Sequence, residues 1–200
     1  NVLPASIAAR LKASPAVIAE RFDDVTVLFA DLVGFTTLAA QLPPEAVVAL
    51  LARVFSAFDE LASRLQVEKI KTIGDAYMVV AGAPVPREDH AQVLASLALE
   101  LNRTLSAINA ETGHALSLRI GLASGPVVAG VIGTRKLAFD LWGDTVNTAA
   151  RMESHGLAGK IQVASTTRLL LGDRFTLEER GVIEVKGKGP MPTWWLLGER

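Results

Sequence analysis

Apolar positions follow two periods along this chain, one typical of strands and the other of helices. Residues 25–30 form a continuous apolar and β-branched run that ends at Asp31, which predicts a strand buried on both faces. Apolar residues recur every three or four positions from Pro44 to Leu65 and again from Glu88 to Thr112. These two segments are predicted to be long helices that bury one face each.

Shorter apolar runs predict further strands around turn-forming residues. Two such runs flank Gly74-Asp75, and glycine at the first central position is typical of a type II′ hairpin, so Asp75 is expected at a tight turn. A third helix is predicted from Asp144 to Ser154. The remaining predicted strands are 116–124, 127–132, 161–164, 181–186 and 193–197. Hairpins alternate with long crossover helices, and this order favours an α+β sandwich with helices packed on a mixed or antiparallel sheet.

The composition is that of one globular domain. The chain has 200 residues, of which 50% are hydrophobic, enough to bury a substantial core. The net charge of −1 predicts no general attraction to nucleic acid, so no nucleic-acid partner is expected. The absence of cysteine excludes disulfides, thiolate metal sites and cysteine nucleophiles. No apolar run reaches the roughly 18 residues that span a bilayer.

Two carboxylates at element ends are the first candidates for chemistry. Asp31 closes the buried strand and Asp75 lies in the predicted hairpin turn. A buried carboxylate needs a partner, and if the two strands are neighbours the two side chains converge. Oxygen ligands of this kind suit Mg²⁺ or Mn²⁺, with substrate phosphates at the other coordination positions. Taken alone, both residues are better explained as a helix cap and a turn former.

Other polar residues stand where a phosphate or a base could bind. Asn147 and Arg151 are four residues apart on a predicted helix and share one face, which suits a phosphate and ribose pair or an ordinary solvated face. Asp140 lies in an apolar stretch and needs a partner. The loop at residues 32–37 could offer backbone N–H groups to a phosphate, although no Walker A pattern is present.

Lysines near predicted turns add weaker signals, and several other chemistries have no candidate residue. Lys69 and Lys71 share a face of one strand, and Lys186 and Lys188 flank Gly187 in a glycine-rich turn, where lysines usually solvate an edge. The sequence has no GxSxG motif for acyl transfer. The three histidines show no metal-ligand spacing, so a structural or surface role is expected for them.

Five segments, in the same order along the chain, resemble the class III adenylyl and guanylyl cyclase family. They cover nearly the whole chain after residue 24, and five such matches in order are highly specific. The segments are VTVLFADLVGFT from Val25, VEKIKTIGDAYMVV from Val67, RIGLASGPVVAGVIG from Arg119, FDLWGDTVNTAARM from Phe139 and VKGKG from Val185.

The resemblance implies a ferredoxin-like α/β catalytic core and a set of phosphate and metal residues. Asp31 and Asp75 match the two aspartates that hold the metal, two Mg²⁺ or Mn²⁺ ions per site. Phe35 and Thr36 match the loop that holds the triphosphate. Lys186 matches the lysine on the terminal phosphates.

The same resemblance assigns the base and the ribose. Asn147 and Arg151 match the ribose-orienting and transition-state residues, and Lys71 and Asp140 match the pair that contacts the purine. Lys71 can donate to N1 of adenine and Asp140 can accept from its 6-amino group, whereas guanine reverses both groups. Guanylyl cyclases of this family carry Glu at the position of Lys71. ATP is therefore the expected substrate, with cyclic AMP and pyrophosphate as products.

The resemblance further implies a homodimer arranged head to tail with shared active sites, because the metal and purine residues of this family come from different protomers. Residues 25–200 are interpreted as the catalytic domain and residues 1–24 as a lead-in segment. The chain begins with Asn1 rather than Met, so it is interpreted as a fragment whose upstream regulatory or membrane region lies outside it. The catalytic domain is expected in the cytoplasm. Two alternatives stay open: a guanylyl cyclase, and a non-catalytic nucleotide-binding regulatory module.

Overall fold

The computed structural model describes residues 3–13, 18–133 and 137–200, which contain six α-helices and eight strands. The helices are α1 (Ala5–Ala13), α2 (Phe35–Ala39), α3 (Pro44–Arg64), α4 (His90–Thr112), α5 (Asp144–Ser154) and α6 (Ser165–Leu171). The strands are β1 (Ala19–Val33), β2 (Glu68–Ile73), β3 (Ala76–Ala81), β4 (Ser117–Ile132), β5 (Ala138–Trp142), β6 (Ile161–Ala164), β7 (Phe175–Val185) and β8 (Gly189–Glu199).

All eight strands belong to one sheet. Their order is β2-β3-β1-β4-β6-β8-β7, and β5 pairs with β4 outside this path. Every pairing is antiparallel except that of β4 with β6. The helices α3 and α4 cross over between strands of the segment β2-β3-β1-β4, which is the ferredoxin-like order. The predicted α+β sandwich with a mixed, mostly antiparallel sheet is therefore confirmed.

Alternation along β1 divides the core into two layers, one on each face of the sheet. Leu28, Ala30 and Leu32 belong to a core cluster that includes the buried faces of α3 and α4. Val27 and Phe29 point to the opposite face, into a second cluster that holds residues of α5 and β5. Asp31 follows in this second series, so its side chain leaves the sheet on the α5 face.

The strand β4 differs from its prediction. Residues 116–124 and 127–132 were expected to be two strands, but β4 is continuous from Ser117 to Ile132. Pro126, which has no N–H to donate, lies opposite a bulge of β1 between Phe22 and Val25, where the ladder is interrupted anyway. The pairing of β4 with β1 therefore continues past the proline.

The strand β5 pairs with β4 and also contacts β2. Its buried side chains Phe139 and Leu141 belong to the second core cluster together with Met78 of β3. This packing holds residues of β5 near those of β2, although the two strands are not paired. In the part of the chain that the structure describes, no helix is both long and apolar enough to cross a membrane.

Candidate active site

The two aspartates predicted to bind metal lie side by side. Asp31 is near the end of β1, and its register partner on β3 is Ala76, the residue after Asp75. The backbone N–H of Leu32 donates to the backbone oxygen of Asp75 at 3.3 Å. Asp75 occupies the β2–β3 turn, where Gly74 has a φ of 62° as expected for the first central residue of a II′ turn.

Arg119 of β4 and Glu153 of α5 complete this group, and the sequence analysis missed both. An Arg119 Nη donates to Asp31 at 3.1 Å, while its Nε donates to Glu153 at 2.6 Å. Arg119 is the register partner of Asp31 on β4. The signal was present in the sequence: an arginine in an otherwise apolar strand needs carboxylate partners as much as a buried aspartate needs a cation.

Burial and like charge act on the carboxylates of this group. Burial raises the pKa of Asp31, the nearby charge of Asp75 raises it further, and Arg119 opposes both. Burial also raises the pKa of Glu153, the Arg119 hydrogen bond lowers it, and the charges of Asp31 and Asp75 add smaller increases. The group holds three carboxylates and one guanidinium, which bonds Asp31 and Glu153, so it carries an excess of negative charge that a cation can neutralise.

The donor set suits a magnesium or manganese ion that keeps further ligands from substrate or water. Asp31 and Asp75 are neighbouring hard oxygen donors, and Arg119 bonds Glu153 at 2.6 Å but Asp31 less closely, at 3.1 Å. Among the described residues, no group of three or more acidic, histidine or cysteine side chains is arranged to hold a metal ion by itself. Asp31 and Asp75 are thus the residues of this group that could hold such an ion, together with phosphate oxygens.

The loop after β1 places Phe35 and Thr36 a few residues after Asp31 in the chain. Gly34 has a φ of 89°, which only glycine adopts readily, and it allows α2 to begin directly after β1. The Phe35 side chain is buried in the first core cluster, while Thr36 is exposed. The first helical bond runs from Leu38 N to the oxygen of Gly34, so the N–H groups of Phe35 and Thr36 precede it.

Lys71 and Asp140 form an ion pair between β2 and β5. The Lys71 ammonium donates to Oδ2 of Asp140, and Oδ1 of Asp140 accepts from the backbone N–H of Leu141 at 2.8 Å. The lysine side chain is 41% exposed and the aspartate side chain 22% exposed. The partner that the isolated Asp140 carboxylate required is therefore Lys71, and both groups can be reached from solvent.

Asn147, Arg151 and Lys186 line one cavity of about 480 Å³, together with Asp144, Ala150, Gly187 and Lys188. Asn147 and Arg151 come from successive turns of α5, and Lys186 comes from the β7–β8 turn. Neither Arg151 nor Lys186 has an ion pair with any described carboxylate. The predicted pair on α5 and the predicted lysine therefore share one basic cavity, which does not include Asp31, Asp75 or Lys71 in its lining.

A larger cavity, of about 620 Å³, lies away from all of these residues. His90 is among its lining residues, and its Nδ1 is hydrogen-bonded to the hydroxyl of Thr26 at 2.7 Å. Burial lowers the pKa of His90, so the neutral imidazole is favoured. His90 is 4% exposed, in agreement with the structural role expected for the histidines.

Comparison with known proteins places the chain in one family. Residues 17–198 match the family model of the adenylate and guanylate cyclase catalytic domain. An adenylate cyclase of Mycobacterium tuberculosis is 51% identical over 201 residues, which cover 100% of this chain and 45% of that protein. Guanylate cyclase soluble subunit beta-2 of Rattus norvegicus is 46% identical over 198 residues, covering 98% of this chain and 29% of the relative.

A solved structure agrees with these relatives. The guanylate cyclase domain of RhGC from Catenaria anguillulae, in complex with GTP, is 38% identical with a TM-score of 0.87. The comparison covers 90% of this chain and 100% of that one. The chain spans less than half the length of the curated relatives that it matches. On the shared sequence, sheet and helices, the chain belongs to the family of adenylate and guanylate cyclase catalytic domains.

Proposed function

We propose that this domain is an adenylyl cyclase that converts ATP to 3′,5′-cyclic AMP and pyrophosphate at sites shared between two copies of the chain. Family membership supports a lyase that makes a cyclic nucleotide. Relatives named for adenylate and for guanylate are similarly close, so the choice of base has to be argued from the residues.

The Lys71–Asp140 pair is the observation that carries the choice of ATP. It presents one donor and one acceptor close together, on two strands that can both be reached from solvent. Adenine offers an acceptor at N1 and a donor at its 6-amino group, which match the pair. Guanine offers a donor at N1 and an acceptor at O6. The lysine donor would then face a donor, and the aspartate acceptor would face an acceptor. A polar site left with mismatched partners strongly rejects the wrong base.

Asp31 and Asp75 would hold the metal ions in this proposal. When bound, such ions lower the pKa of the ribose 3′-hydroxyl and neutralise charge on the phosphates. The cluster supports this role, because its carboxylates lie together and outnumber its single arginine. Thr36 follows Asp31 closely in the chain, and its side chain is exposed. The N–H groups at the start of α2 are suited to hold phosphate oxygens.

The basic cavity would act on the ribose and the phosphates. Asn147 would orient the ribose so that its 3′-hydroxyl attacks the α-phosphorus in line with the departing pyrophosphate. Arg151 would stabilise the charge that develops on the α-phosphate, and Lys186 would hold the terminal phosphates. Internal phosphoryl transfer needs positioning and charge rather than a protein nucleophile, so no further residue type is required.

Two observations support shared sites in a homodimer. The cavity that contains Arg151 and Lys186 does not include either metal-binding aspartate in its lining. In addition, Val128 and Trp142, which are register partners on β4 and β5, are 45% and 38% exposed, and Ile132 nearby is 60% exposed. An apolar patch of this kind on a paired ribbon suits contact with a second protein surface.

Product analysis with purified protein tests the proposal. ATP or GTP is incubated with the protein in Mn²⁺ or Mg²⁺, and cyclic products are separated and quantified. We expect cyclic AMP from ATP, little cyclic GMP from GTP, and loss of the product in an Asp75→Ala variant that is still folded. Preferential formation of cyclic GMP would instead favour the guanylyl cyclase alternative. If a folded dimer forms neither product, the domain is a non-catalytic module.

A further inference from the structure

The turn between β7 and β8 has a geometry that fixes the position of Lys186. The N–H of Lys188 donates to the oxygen of Val185 at 2.9 Å, and Gly187 has a φ of 83° at the second central position, as in a type II turn. Val185 is 2% exposed and belongs to the second core cluster. Lys186, at the first central position, is therefore carried on a short rigid turn whose base is anchored in the core.

A side-chain ion pair ties this turn to α5. The Lys188 ammonium donates to the carboxylate of Asp144, the first residue of α5. The lysine side chain is 23% exposed, so most of it is covered, whereas the aspartate side chain is 79% exposed. Asp144 stands where the positive end of the helix dipole favours an acid. Within the described residues, no other side-chain hydrogen bond joins the turn to α5.

The turn and the helix form opposite walls of the basic cavity. Asn147 and Arg151 come from the helix wall and Lys186 from the turn wall. The pairing with Asp144 neutralises Lys188, whereas Lys186 and Arg151 form no ion pair with a described carboxylate. Two cations, Lys186 and Arg151, are therefore left for a ligand, while the third cation, Lys188, joins the turn to the helix.

We propose that Lys188 and Asp144 are positioning residues, whose ion pair holds the β7–β8 turn against α5 so that Lys186 and Arg151 bind one polyphosphate together. The inference rests on the proposed function for the role of that polyphosphate, but its geometry concerns only the cavity. The competing explanation is that Lys188 itself binds phosphate. In that case Asp144 would oppose binding, because it would repel the ligand and compete for the lysine.

The test measures binding of inorganic tripolyphosphate by calorimetry in the presence of Mn²⁺, together with the KM and kcat for ATP. Lys188→Met and Asp144→Asn should each weaken tripolyphosphate binding and raise KM by about fivefold, the size of a part-exposed ion pair. The double variant should lose no more than either single variant, and Lys188→Arg should restore most of the affinity. Lys160→Met, at an exposed lysine outside the cavity, serves as the matched control.

A variant that lacks Lys186 distinguishes a positioning role of Lys188 from direct binding of phosphate by Lys188. In a Lys186→Met protein, Lys188→Met should cause no further loss of tripolyphosphate affinity, because Lys188 acts through Lys186. An additive loss there, or unchanged or tighter binding in Asp144→Asn, would overturn the proposal. Binding does not require turnover. A wild type that binds tripolyphosphate with this variant pattern but makes no cyclic AMP would support the inference and refute the proposed function.

Discussion

In the proposed adenylyl cyclase, Lys71 and Asp140 would determine which hydrogen bonds a purine can make. They come from strands that are not paired with each other, and they meet because β5 contacts β2. Because one is a donor and the other an acceptor, the proposal assigns the preference for one purine to these two side chains. A change of both residues should therefore alter specificity without altering the fold.

Replacing Lys71→Glu together with Asp140→Cys should shift preference toward GTP. The glutamate would accept from N1–H of guanine, and the loss of the second carboxylate removes repulsion at O6. We expect the ratio of kcat/KM for GTP to that for ATP to rise by about two orders of magnitude. Lys69→Glu, on the same strand but paired with Asp59, is the matched control. Unchanged ATP selectivity in the double variant would refute the assigned base contacts.

Sequence alone identified individual residues better than their pairings. The resemblance supplied Lys71 and Asp140 together, while the residue patterns gave only an aspartate that needed a partner. The contacts of Arg119 were missed because Asp31 lies 88 residues and Glu153 lies 34 residues from it in the chain. Such long-range ion pairs leave no local period in the sequence, so only the register of β1 with β4 brings them together.

At the scale of elements, the close approach of α5 to β4 positions the basic cavity. Gly121 lies at this contact, and a Cβ there would stand 2.0 Å from the backbone nitrogen of Glu153 and 2.7 Å from the oxygen of Ala149. These are backbone atoms of α5, so the helix as a whole would have to move to make room for a side chain. The helix that carries Asn147 and Arg151 can therefore pack this closely on the sheet only because residue 121 is a glycine.

Gly121→Ala should destabilise the domain by about 3 kcal/mol or more, because the added methyl group forces α5 away from β4. Chemical denaturation measures the effect, and the fraction that stays folded should have low cyclase activity because Asn147 and Arg151 move with the helix. Gly198→Ala is the control, since a Cβ at that position meets no atom within 4 Å. Equal stability of the two variants would argue against this packing.

The elements that sequence predicted well were long or strongly patterned. The helices α3 and α5 lie within a residue of their predicted bounds, because burial of one face dictates them. The β2–β3 hairpin turns at Gly74-Asp75, as turn chemistry predicted. The short elements β5 and α6 were not assigned, and β1 begins six residues before its predicted start at Val25. Those segments gain their structure from pairing with β4 and packing on the sheet, which a local pattern does not record.

At the scale of the whole molecule, the candidate metal and phosphate residues form separate groups rather than one closed site. Asp31 and Asp75 lie at the end of the central strands, whereas Arg151 and Lys186 line their own cavity between α5 and the β7–β8 turn. The exposed apolar side chains of β4 and β5 offer a surface for a second copy. Function in this account therefore requires two chains, each completing the site that the other begins.

Complementation between two inactive variants tests whether the active sites are shared between chains. Asp31→Ala and Lys71→Ala chains carrying different tags are co-expressed, and the mixed dimer is purified through both tags and assayed for cyclic AMP. Each parent homodimer should be inactive, because both of its sites lack one residue. The mixed dimer should have about half the wild-type rate, since one of its two sites is intact. An inactive mixed dimer that is folded, or full activity in an isolated monomer, would contradict shared sites.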